Sequence, residues 1–193
     1  MNRVLLDIDN TLTSIDLVLR LMEGHFGKEK VEWQDITSYT IGEIFNITKN
    51  EDKDFWNKYS PFISKLSTVN QPVVDRINNI INDNDNVIIV TARPEIERDI
   101  TKEWLNRNNI KHDKLLLVGK EPKIKTIEKL ELNVIIDDNP NVFKDISIEL
   151  NNNKSFLYSA KQKNKLDRYI INYPYNFGLE SEKRICSLTG KFI

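Results

Sequence analysis

The stretch VLLDIDNTLT, residues 4 to 13, determines how the rest of the chain is interpreted. Its three leading apolar residues are typical of a strand buried on both faces of a parallel sheet, and two carboxylates, Asp7 and Asp9, follow. Ligands bind at the carboxyl ends of strands in open α/β sheets. Alternate residues of a strand face the same side, so Asp7 and Asp9 would repel each other unless a cation or a proton lay between them. The stretch therefore indicates a charged site, although Asp, Asn and Thr are also common in turns and helix caps.

The composition is that of an ordinary globular protein without a strong overall charge. Of the 193 residues, 39% are hydrophobic and 30% are charged, and 28 basic against 29 acidic residues give a net charge of −1. Bulk charge therefore gives no reason to expect a nucleic acid polymer or a membrane as a partner. Cys186 is the only cysteine, which excludes an internal disulfide and a thiolate metal cluster. With no visible signal peptide and no apolar run near 18 residues, we expect a cytoplasmic protein, of an oligomeric state that the sequence does not determine.

Strands and helices alternate along most of the chain. An amphipathic helix is predicted over residues 15–22, ending near Gly24. From residue 71 onward, apolar runs predict strands at residues 87–90, 115–118, 134–136 and 156–158, separated by helices that begin near residues 72, 95, 123 and 141. The helix near residue 95 is expected to bury Ile96, Ile100, Trp104 and Leu105. This alternation predicts a parallel sheet with helices on both faces.

The segment from residue 14 to residue 70 has a different pattern and predicts a small helical module. A helix is expected over residues 51–59, capped by Thr48 or Asn50 and stopped by Pro61. The module accounts for the 84 residues (91 minus 7) between Asp7 and Thr91, because a βαβ unit needs only about 30. Its aromatic side chains either offer a surface that stacks a base or simply form its core: Trp33, Phe45, Trp56 and Tyr59.

Polar residues interrupt the α/β pattern where strands end. Since the carboxyl ends of parallel strands lie along one edge of a sheet, these residues are expected to meet at one site. Carboxylates gathered in this way need a divalent cation and a lysine to neutralise them, and ligands that are all oxygen indicate Mg²⁺. The same positive charges would attract a phosphate group. The residues concerned are Asp7, Asp9, Thr91, Asp137 and Asp138, with Lys120, Lys123 and Lys125 shortly before the last pair.

These motifs resemble those of the haloacid dehalogenase (HAD) superfamily of phosphohydrolases. Residues 7 to 11 are similar to its DxDxT signature, and Thr91, a lysine and Asp137-Asp138 resemble its second, third and fourth motifs in the same order. The stretches VTARP at 90–94, IDDNP at 136–140 and YPYN at 173–176 are similar to the 5'-nucleotidase family related to 5'(3')-deoxyribonucleotidases. The resemblance covers roughly residues 3 to 178.

The resemblance implies the fold and the domain organisation. We expect an α/β fold, a HAD-like Rossmannoid three-layer α/β/α parallel sheet with a small helical cap inserted after the first strand. The catalytic core would comprise residues 1–13 and 71–178, and the cap residues 14–70. No role is assigned to the C-terminal tail, residues 179–193.

The resemblance also implies chemical roles. Asp7 is expected to be the nucleophile that forms an aspartyl-phosphate, and Asp9 to be the general acid and base. Mg²⁺ would be held by the Asp7 carboxylate, the Asp9 backbone carbonyl and one or both of Asp137 and Asp138. The expected activity is that of a Mg²⁺-dependent phosphomonoesterase acting on a small-molecule phosphate ester, with nucleoside monophosphates as the favoured substrates.

Phosphate binding is expected from the second and third motifs. Thr91 and the backbone amides after it, including that of Ala92, would contact the phosphate oxygens. Among the lysines, Lys123 fits the spacing of the third motif better than Lys120 or Lys125.

Other interpretations stay open from the sequence. A phosphotransfer receiver domain also gathers carboxylates, a threonine and a lysine at a sheet edge, but it is shorter and lacks DxDxT and a cap. A phosphatase for other small phosphate esters and an inactive or binding member of the same fold are the remaining alternatives. Arg93 is expected either to touch the substrate phosphate or to begin a helix in solvent. The remaining polar residues are expected to be bystanders or solvated: His25, His112, Cys186, Lys161, Lys163, Lys165 and Arg168.

Overall fold

The structure, a computed structural model, describes residues 1–32, 35, 36, 38–152, 154–172 and 183–192. Its strands are β1 (Arg3–Leu6), β2 (Asn86–Thr91), β3 (Lys114–Leu117), β4 (Val134–Asp137), β5 (Asp167–Asn172) and β6 (Lys183–Cys186). Its helices are α1 (Asp16–Phe26), α2 (Ile41–Ile44), α3 (Lys49–Leu66), α4 (Gln71–Asn78), α5 (Arg98–Arg107), α6 (Lys123–Leu130), α7 (Pro140–Glu149) and α8 (Phe156–Gln162). A short 3-10 turn, Glu95–Glu97, leads into α5.

The strands of the described residues form one parallel sheet in the order β3-β2-β1-β4-β5-β6. β1 is central, with Leu5 paired with Ile88 of β2 and Ile135 of β4. Its side chains alternate between two cores: Val4 and Leu6 pack with residues of α4 and α5, and Leu5 packs with residues of α6, α7 and α8. Helices cover both faces, which is why the strands are apolar on both sides. The predicted three-layer α/β/α parallel sheet is therefore confirmed.

Helices α1, α2 and α3 follow the first strand and enclose a hydrophobic cluster of their own. Their connections to the sheet run side by side: Thr13 pairs with Val69 in an antiparallel bridge, and the Asn70 N–H donates to the Leu12 carbonyl at 2.8 Å. A helical module is thus inserted after β1, as predicted. That this module acts as a cap over a substrate stays a prediction. The cluster is built from Ile15, Val18, Leu19, Met22, Ile36, Ile41, Phe45, Phe55 and Ile63.

Helix α3 is longer than predicted. Thr48 caps it: its side chain accepts the Glu51 N–H at 3.3 Å, and the Glu51 carboxylate accepts the Thr48 N–H at 2.8 Å. The prediction that Pro61 stops the helix is wrong, because α3 continues to Leu66. Pro61 and Asn57 are both exposed, so the Asn57 carbonyl that loses its helical partner can be hydrated instead.

The strand predicted at residues 156–158 is wrong, because these residues begin α8. The Ser155 side chain accepts the Tyr158 N–H at 3.0 Å and so caps a helix, and this cap overrides the strand preference of Phe and Tyr. The next strand is β5, which includes Arg168, buried rather than solvated. Ile96 is also misplaced by the prediction: it lies in the 3-10 turn before α5 and is 89% exposed.

The described part of the C-terminal tail packs against the core. β6 extends the sheet beside β5, and beyond it Asn70 and Arg76 donate to the carbonyl oxygens of Ser187 and Gly190 at 2.9 and 2.7 Å. Gly190 has φ +63°, and a Cβ at this position would lie 2.0 Å from the Pro72 oxygen, so the close approach requires glycine.

Two sets of residues from the sequence analysis, Trp33 and the YPYN stretch at 173–176, lie outside the described residues. Among the helices that are described, none combines the length and the apolar character needed to cross a bilayer.

Candidate active site

The loop after β1 folds around the carbonyl oxygen of Ile8. The backbone N–H groups of Thr11, Leu12 and Thr13 donate to it at 3.2, 2.8 and 3.0 Å. Asn10 has φ 58°, a left-handed conformation that Asn adopts more readily than most residues, and its N–H donates to the Thr13 hydroxyl at 3.0 Å. The Asn and Thr residues of the motif thus shape the turn that carries the two aspartates.

Lys123 connects the ends of two adjacent strands. Its Nζ lies 2.6 Å from Asp7 Oδ1, after β1, and 2.7 Å from Asp137 Oδ2, at the end of β4. All three side chains are at most 7% exposed. The other oxygen of Asp137 accepts the Asn139 N–H at 2.9 Å. Helix α6 begins at Lys123, so the fold delivers a buried ammonium group to the carboxyl edge of the sheet.

The cluster has strongly perturbed acidities. Burial raises the pKa of Asp7 to about 7; Lys123 opposes this rise, and Asp137 and Asp9 add to it. Burial and the nearby Asp7 and Asp137 also raise the pKa of Asp138 well above its ordinary value. Burial alone would lower the pKa of Lys123, but Asp137 and Asp7 raise it instead, so the ammonium group stays charged. The site therefore holds more carboxylate than one lysine can neutralise.

This donor set fits a divalent cation. Asp7, Asp137 and Asp138 are buried and offer carboxylate oxygens that lie within 4.8 Å of one another. When ionised, these three carboxylates and Lys123 sum to a charge of −2, which a divalent ion would neutralise. Ligands that are all oxygen suit Mg²⁺ or Ca²⁺ rather than the metals that prefer nitrogen and sulfur. A buried cluster with this charge could hold a metal ion.

Asp9 is paired with Arg93 and not with Lys123. Arg93 donates from Nε and Nη2 to the two carboxylate oxygens of Asp9 at 2.9 and 2.7 Å, a bidentate pair. The Arg93 side chain is 3% exposed and that of Asp9 42% exposed. Burial would lower the pKa of Arg93, but Asp9 raises it above its ordinary value. Of the two expectations for Arg93, solvation at a helix start is wrong, because the side chain is buried.

Arg93 also contacts the helical module. Its Nη1 donates to the Ser64 carbonyl of α3 and to the Thr101 hydroxyl of α5, both at 3.3 Å. Nearby, the buried Glu97 accepts hydrogen bonds from the hydroxyls of Ser60 and Ser64, at 2.6 and 2.5 Å. Polar contacts from residues 93 and 97 thus attach α3 to the core beside Asp9.

A cavity of about 320 Å³ opens over these residues. The core contributes Asp7, Asp9, Ala92, Lys123 and Asp138, together with Asn10, Asp137 and Asn139, and the helical module contributes Tyr39, Thr40, Ile41, Asp52 and Trp56. The volume is at the lower end of the range for small-molecule sites. The side formed by the core is therefore charged and polar, and the side formed by the helical module combines aromatic and apolar side chains with the Asp52 carboxylate.

Most of the predicted site residues meet at this cavity. Asp7, Asp9, Ala92, Lys123, Asp137 and Asp138 line it. Thr91 stands just beneath: it is buried at the end of β2, and its hydroxyl accepts the Arg93 N–H at 3.3 Å. Lys120 and Lys125 are exposed and form no part of the lining.

Of the described aromatic residues that were predicted to stack a base or to form the core of the module, only some line the cavity. Trp56 lines the cavity, whereas Phe45 is buried in the core of the module. Tyr59 contacts the rings of His25 and Phe55. Asp52 and Glu97 were not predicted from the sequence, because each lies in a run of charged residues, which is typical of a solvated face.

Comparisons with known proteins fit this geometry. No protein-family model matches the chain. A Bacillus subtilis protein named "Putative nucleotidase YqfW" is 28% identical over 138 residues, which cover 72% of this chain and 70% of that protein. A nucleotidase of Clostridium acetobutylicum is 28% identical over 136 residues, 70% of each protein. The chain resembles bacterial nucleotidases. The resemblance inferred from the motifs is thereby confirmed.

The chain also aligns with solved structures. A crystal structure of a HAD-superfamily hydrolase, subfamily IA, from Geobacter sulfurreducens aligns with a TM-score of 0.47 and 9% identity, covering 91% of this chain and 89% of that one.

Proposed function

We propose that this protein is a Mg²⁺-dependent phosphomonoesterase that hydrolyses nucleoside monophosphates through an aspartyl-phosphate on Asp7. The observation that carries the proposal is the buried contact of Lys123 with both Asp7 and Asp137, beside Asp138. An ammonium group and three carboxylates at a strand edge suit a site that binds a cation and a phosphate together. The names of the relatives support the nucleotidase assignment.

In the first step, an oxygen of Asp7 attacks phosphorus and the bond to the leaving oxygen breaks, which gives an acyl phosphate and an alcohol. Covalent catalysis divides one difficult displacement into two easier ones. Lys123 opposes the rise in the Asp7 pKa that burial causes, which favours the ionised nucleophile, and it balances the charge that the phosphate brings. The carboxylates of Asp7, Asp137 and Asp138, with the Asp9 carbonyl, would hold Mg²⁺, which would supply positive charge to neutralise the carboxylates and the phosphate.

Asp9 acts as the general acid and then as the general base. Protonated Asp9 gives its proton to the leaving oxygen, and the resulting carboxylate then takes a proton from the water that attacks the acyl phosphate; the bond between Asp7 and phosphorus breaks, inorganic phosphate leaves, and protonated Asp9 is restored. While both carboxylate oxygens of Asp9 are held by Arg93, Asp9 cannot donate to a leaving group. The proposal therefore requires Asp9 to exchange Arg93 for the substrate oxygen during each turnover.

The phosphate oxygens would be held at the end of β2. The Thr91 hydroxyl accepts the Arg93 N–H, which leaves its own hydrogen available to donate to a phosphate oxygen. Ala92 lines the cavity, so its backbone N–H is a second candidate donor. These contacts act on phosphate alone and carry no information about the leaving group.

Recognition of the leaving group would fall to the helical module. Trp56 is the module's tryptophan in the cavity lining, and stacking of a nucleobase on an aromatic side chain contributes about 1–3 kcal/mol. We therefore expect (deoxy)nucleoside 5'-monophosphates to be hydrolysed with higher kcat/KM than sugar phosphates.

A panel of phosphate esters, assayed by release of inorganic phosphate with Mg²⁺ and with EDTA, tests the proposal. Trp56→Ala should narrow the gap between nucleotides and sugar phosphates, whereas Tyr59→Ala, in the same helix but away from the cavity lining, should preserve it. A sugar phosphate preferred by both the wild type and Trp56→Ala would contradict the nucleotidase assignment. Hydrolysis that is equally fast in EDTA would contradict the metal requirement.

A further inference from the structure

The helical module contributes another carboxylate to the cavity, that of Asp52. Asp52 lies in the first turn of α3 and lines the same cavity as Asp7, Asp9 and Trp56. Its Oδ1 accepts the Trp56 indole N–H at 3.1 Å, and a Cβ added at Gly42 would lie 3.3 Å from the same oxygen. Asp52 is therefore held in place by an aromatic neighbour and by a close backbone approach.

The charge of Asp52 is not neutralised in the way that the catalytic carboxylates are. Among the described residues, Asp52 forms no ion pair with a lysine or arginine, whereas Asp7 has Lys123 and Asp9 has Arg93. Partial burial raises its pKa, and the Trp56 hydrogen bond only partly offsets this rise. A partly desolvated carboxylate with one neutral hydrogen-bond donor is stabilised by a further hydrogen bond and destabilised by a nearby negative charge.

We propose that Asp52 is a specificity-determining residue, which selects phosphate esters whose leaving group is uncharged and carries a hydrogen-bond donor, and which disfavours leaving groups that bear a second phosphate. This inference rests on the proposed function and adds a direction of discrimination to it. A ribose hydroxyl or a base N–H would donate to the Asp52 carboxylate. A second phosphate in the same space would meet a like charge that no cation of the described residues offsets.

The test compares two substrates that differ only by the second phosphate: a nucleoside 5'-monophosphate and the corresponding 3',5'-bisphosphate. The wild type should prefer the monophosphate by at least about tenfold in kcat/KM, which corresponds to about 1.4 kcal/mol, because the second phosphate meets the like charge of Asp52 in a partly desolvated cleft. Asp52→Asn, which keeps the shape and an oxygen for the Trp56 N–H, should reduce this preference by about tenfold.

Two matched variants separate charge selection from other effects. Asp54→Asn removes the same charge from an exposed position two residues along α3 and should keep the wild-type preference and activity. Trp56→Phe removes the indole donor but keeps the Asp52 charge, so it should also keep the preference. If Asp52 merely fixed Trp56, Asp52→Asn and Trp56→Phe would change the two substrates alike, and the inference would be overturned.

Failure of this inference differs from failure of the proposed function. Asp7-dependent hydrolysis in which the wild type treats both substrates equally, or in which Asp52→Asn retains the full preference, overturns the role of Asp52 alone. An absence of any Asp7-dependent hydrolysis overturns both.

The salt dependence of the wild-type preference is a second measurement that needs no variant: an electrostatic preference should shrink between 50 mM and 500 mM salt, and one that does not change contradicts the proposal.

Discussion

Replacing Lys123 with Met removes a buried ammonium group while keeping a side chain of similar length. The Nζ of Lys123 contacts Asp7 at 2.6 Å and Asp137 at 2.7 Å, and all three side chains are at most 7% exposed. Removing one partner of such a buried pair costs about 3–5 kcal/mol, because the remaining charges are left uncompensated. This is a large part of the total stability of about 5–15 kcal/mol that is typical of globular domains.

The loss should depend on pH in a definite direction. Lys123 lowers the pKa of Asp7, so its removal raises that pKa further above its present value of about 7. A carboxyl group whose folded-state pKa exceeds its unfolded-state pKa costs stability as the pH rises towards the folded value. The wild type completes this loss near pH 7, whereas Lys123→Met continues to lose stability at higher pH. The difference in free energy of unfolding between the two proteins should therefore grow from pH 7 to pH 9.

Urea unfolding in EDTA at pH 6, 7 and 9 measures this difference. Lys125→Met is the matched control, because Lys125 is exposed on the same helix, and it should behave like the wild type. Adding Asp7→Asn to Lys123→Met should recover part of the loss by removing one of the uncompensated charges. The account is refuted if Lys123→Met is as stable as the wild type at pH 9, or if Lys125→Met is destabilised equally.

Three further predictions concern the residues around this cluster. In EDTA, Asp7→Asn should have a higher urea midpoint of unfolding than the wild type at pH 8 but not at pH 4. The reason is that the raised Asp7 pKa of about 7 makes ionisation of the wild-type carboxyl costly between these pH values. Equal midpoints at pH 8 would contradict this prediction. Arg93→Lys, which cannot form the bidentate pair that holds both oxygens of Asp9, should release Asp9 more readily, so kcat on alkyl phosphates should not fall relative to kcat on p-nitrophenyl phosphate, whose leaving group needs no proton; a loss of about tenfold confined to alkyl phosphates would contradict the exchange of Arg93 for the substrate oxygen. Glu97→Gln should weaken the bonds to Ser60 and Ser64 and destabilise the protein by about 1–3 kcal/mol in thermal unfolding, and an unchanged Tm would show that these bonds do not hold α3 in place.

The sheet and the charged cluster were predictable because their signals are local. Leu5 and Leu6 lead directly into Asp7, and Ile135 and Ile136 into Asp137, so each carboxylate marks the end of a buried strand. Parallel pairing of β1 with β4 then brings Asp7 and Asp137 together, although they are far apart in the chain. A motif at a strand end therefore predicts a site whenever the strands are parallel.

The remaining features depend on tertiary contacts that no periodicity encodes. Phe156 belongs to a helix because Ser155 caps it, and the local strand preference is outweighed. From the sequence, Arg93 fits contact with the substrate phosphate and a helix start in solvent equally, and only the fold brings Asp9 within its reach. Asp52 lines the same cavity as the catalytic residues only because α3 packs against the core. For such residues the sequence supplies the chemical group, and the packing between the module and the core supplies its partner.

Release of inorganic phosphate from a nucleoside 5'-monophosphate, with Mg²⁺ and with EDTA, by the wild type and by Asp7→Asn tests the central claim most directly. The amide keeps the shape of Asp7 but is not a nucleophile, so Asp7→Asn should remain folded and lose about 10³-fold or more in kcat. Asp54→Asn, an exposed carboxylate changed in the same way, should keep the wild-type rate. The account predicts phosphate release that requires both Mg²⁺ and Asp7. Turnover by folded Asp7→Asn within about tenfold of the wild type would contradict it.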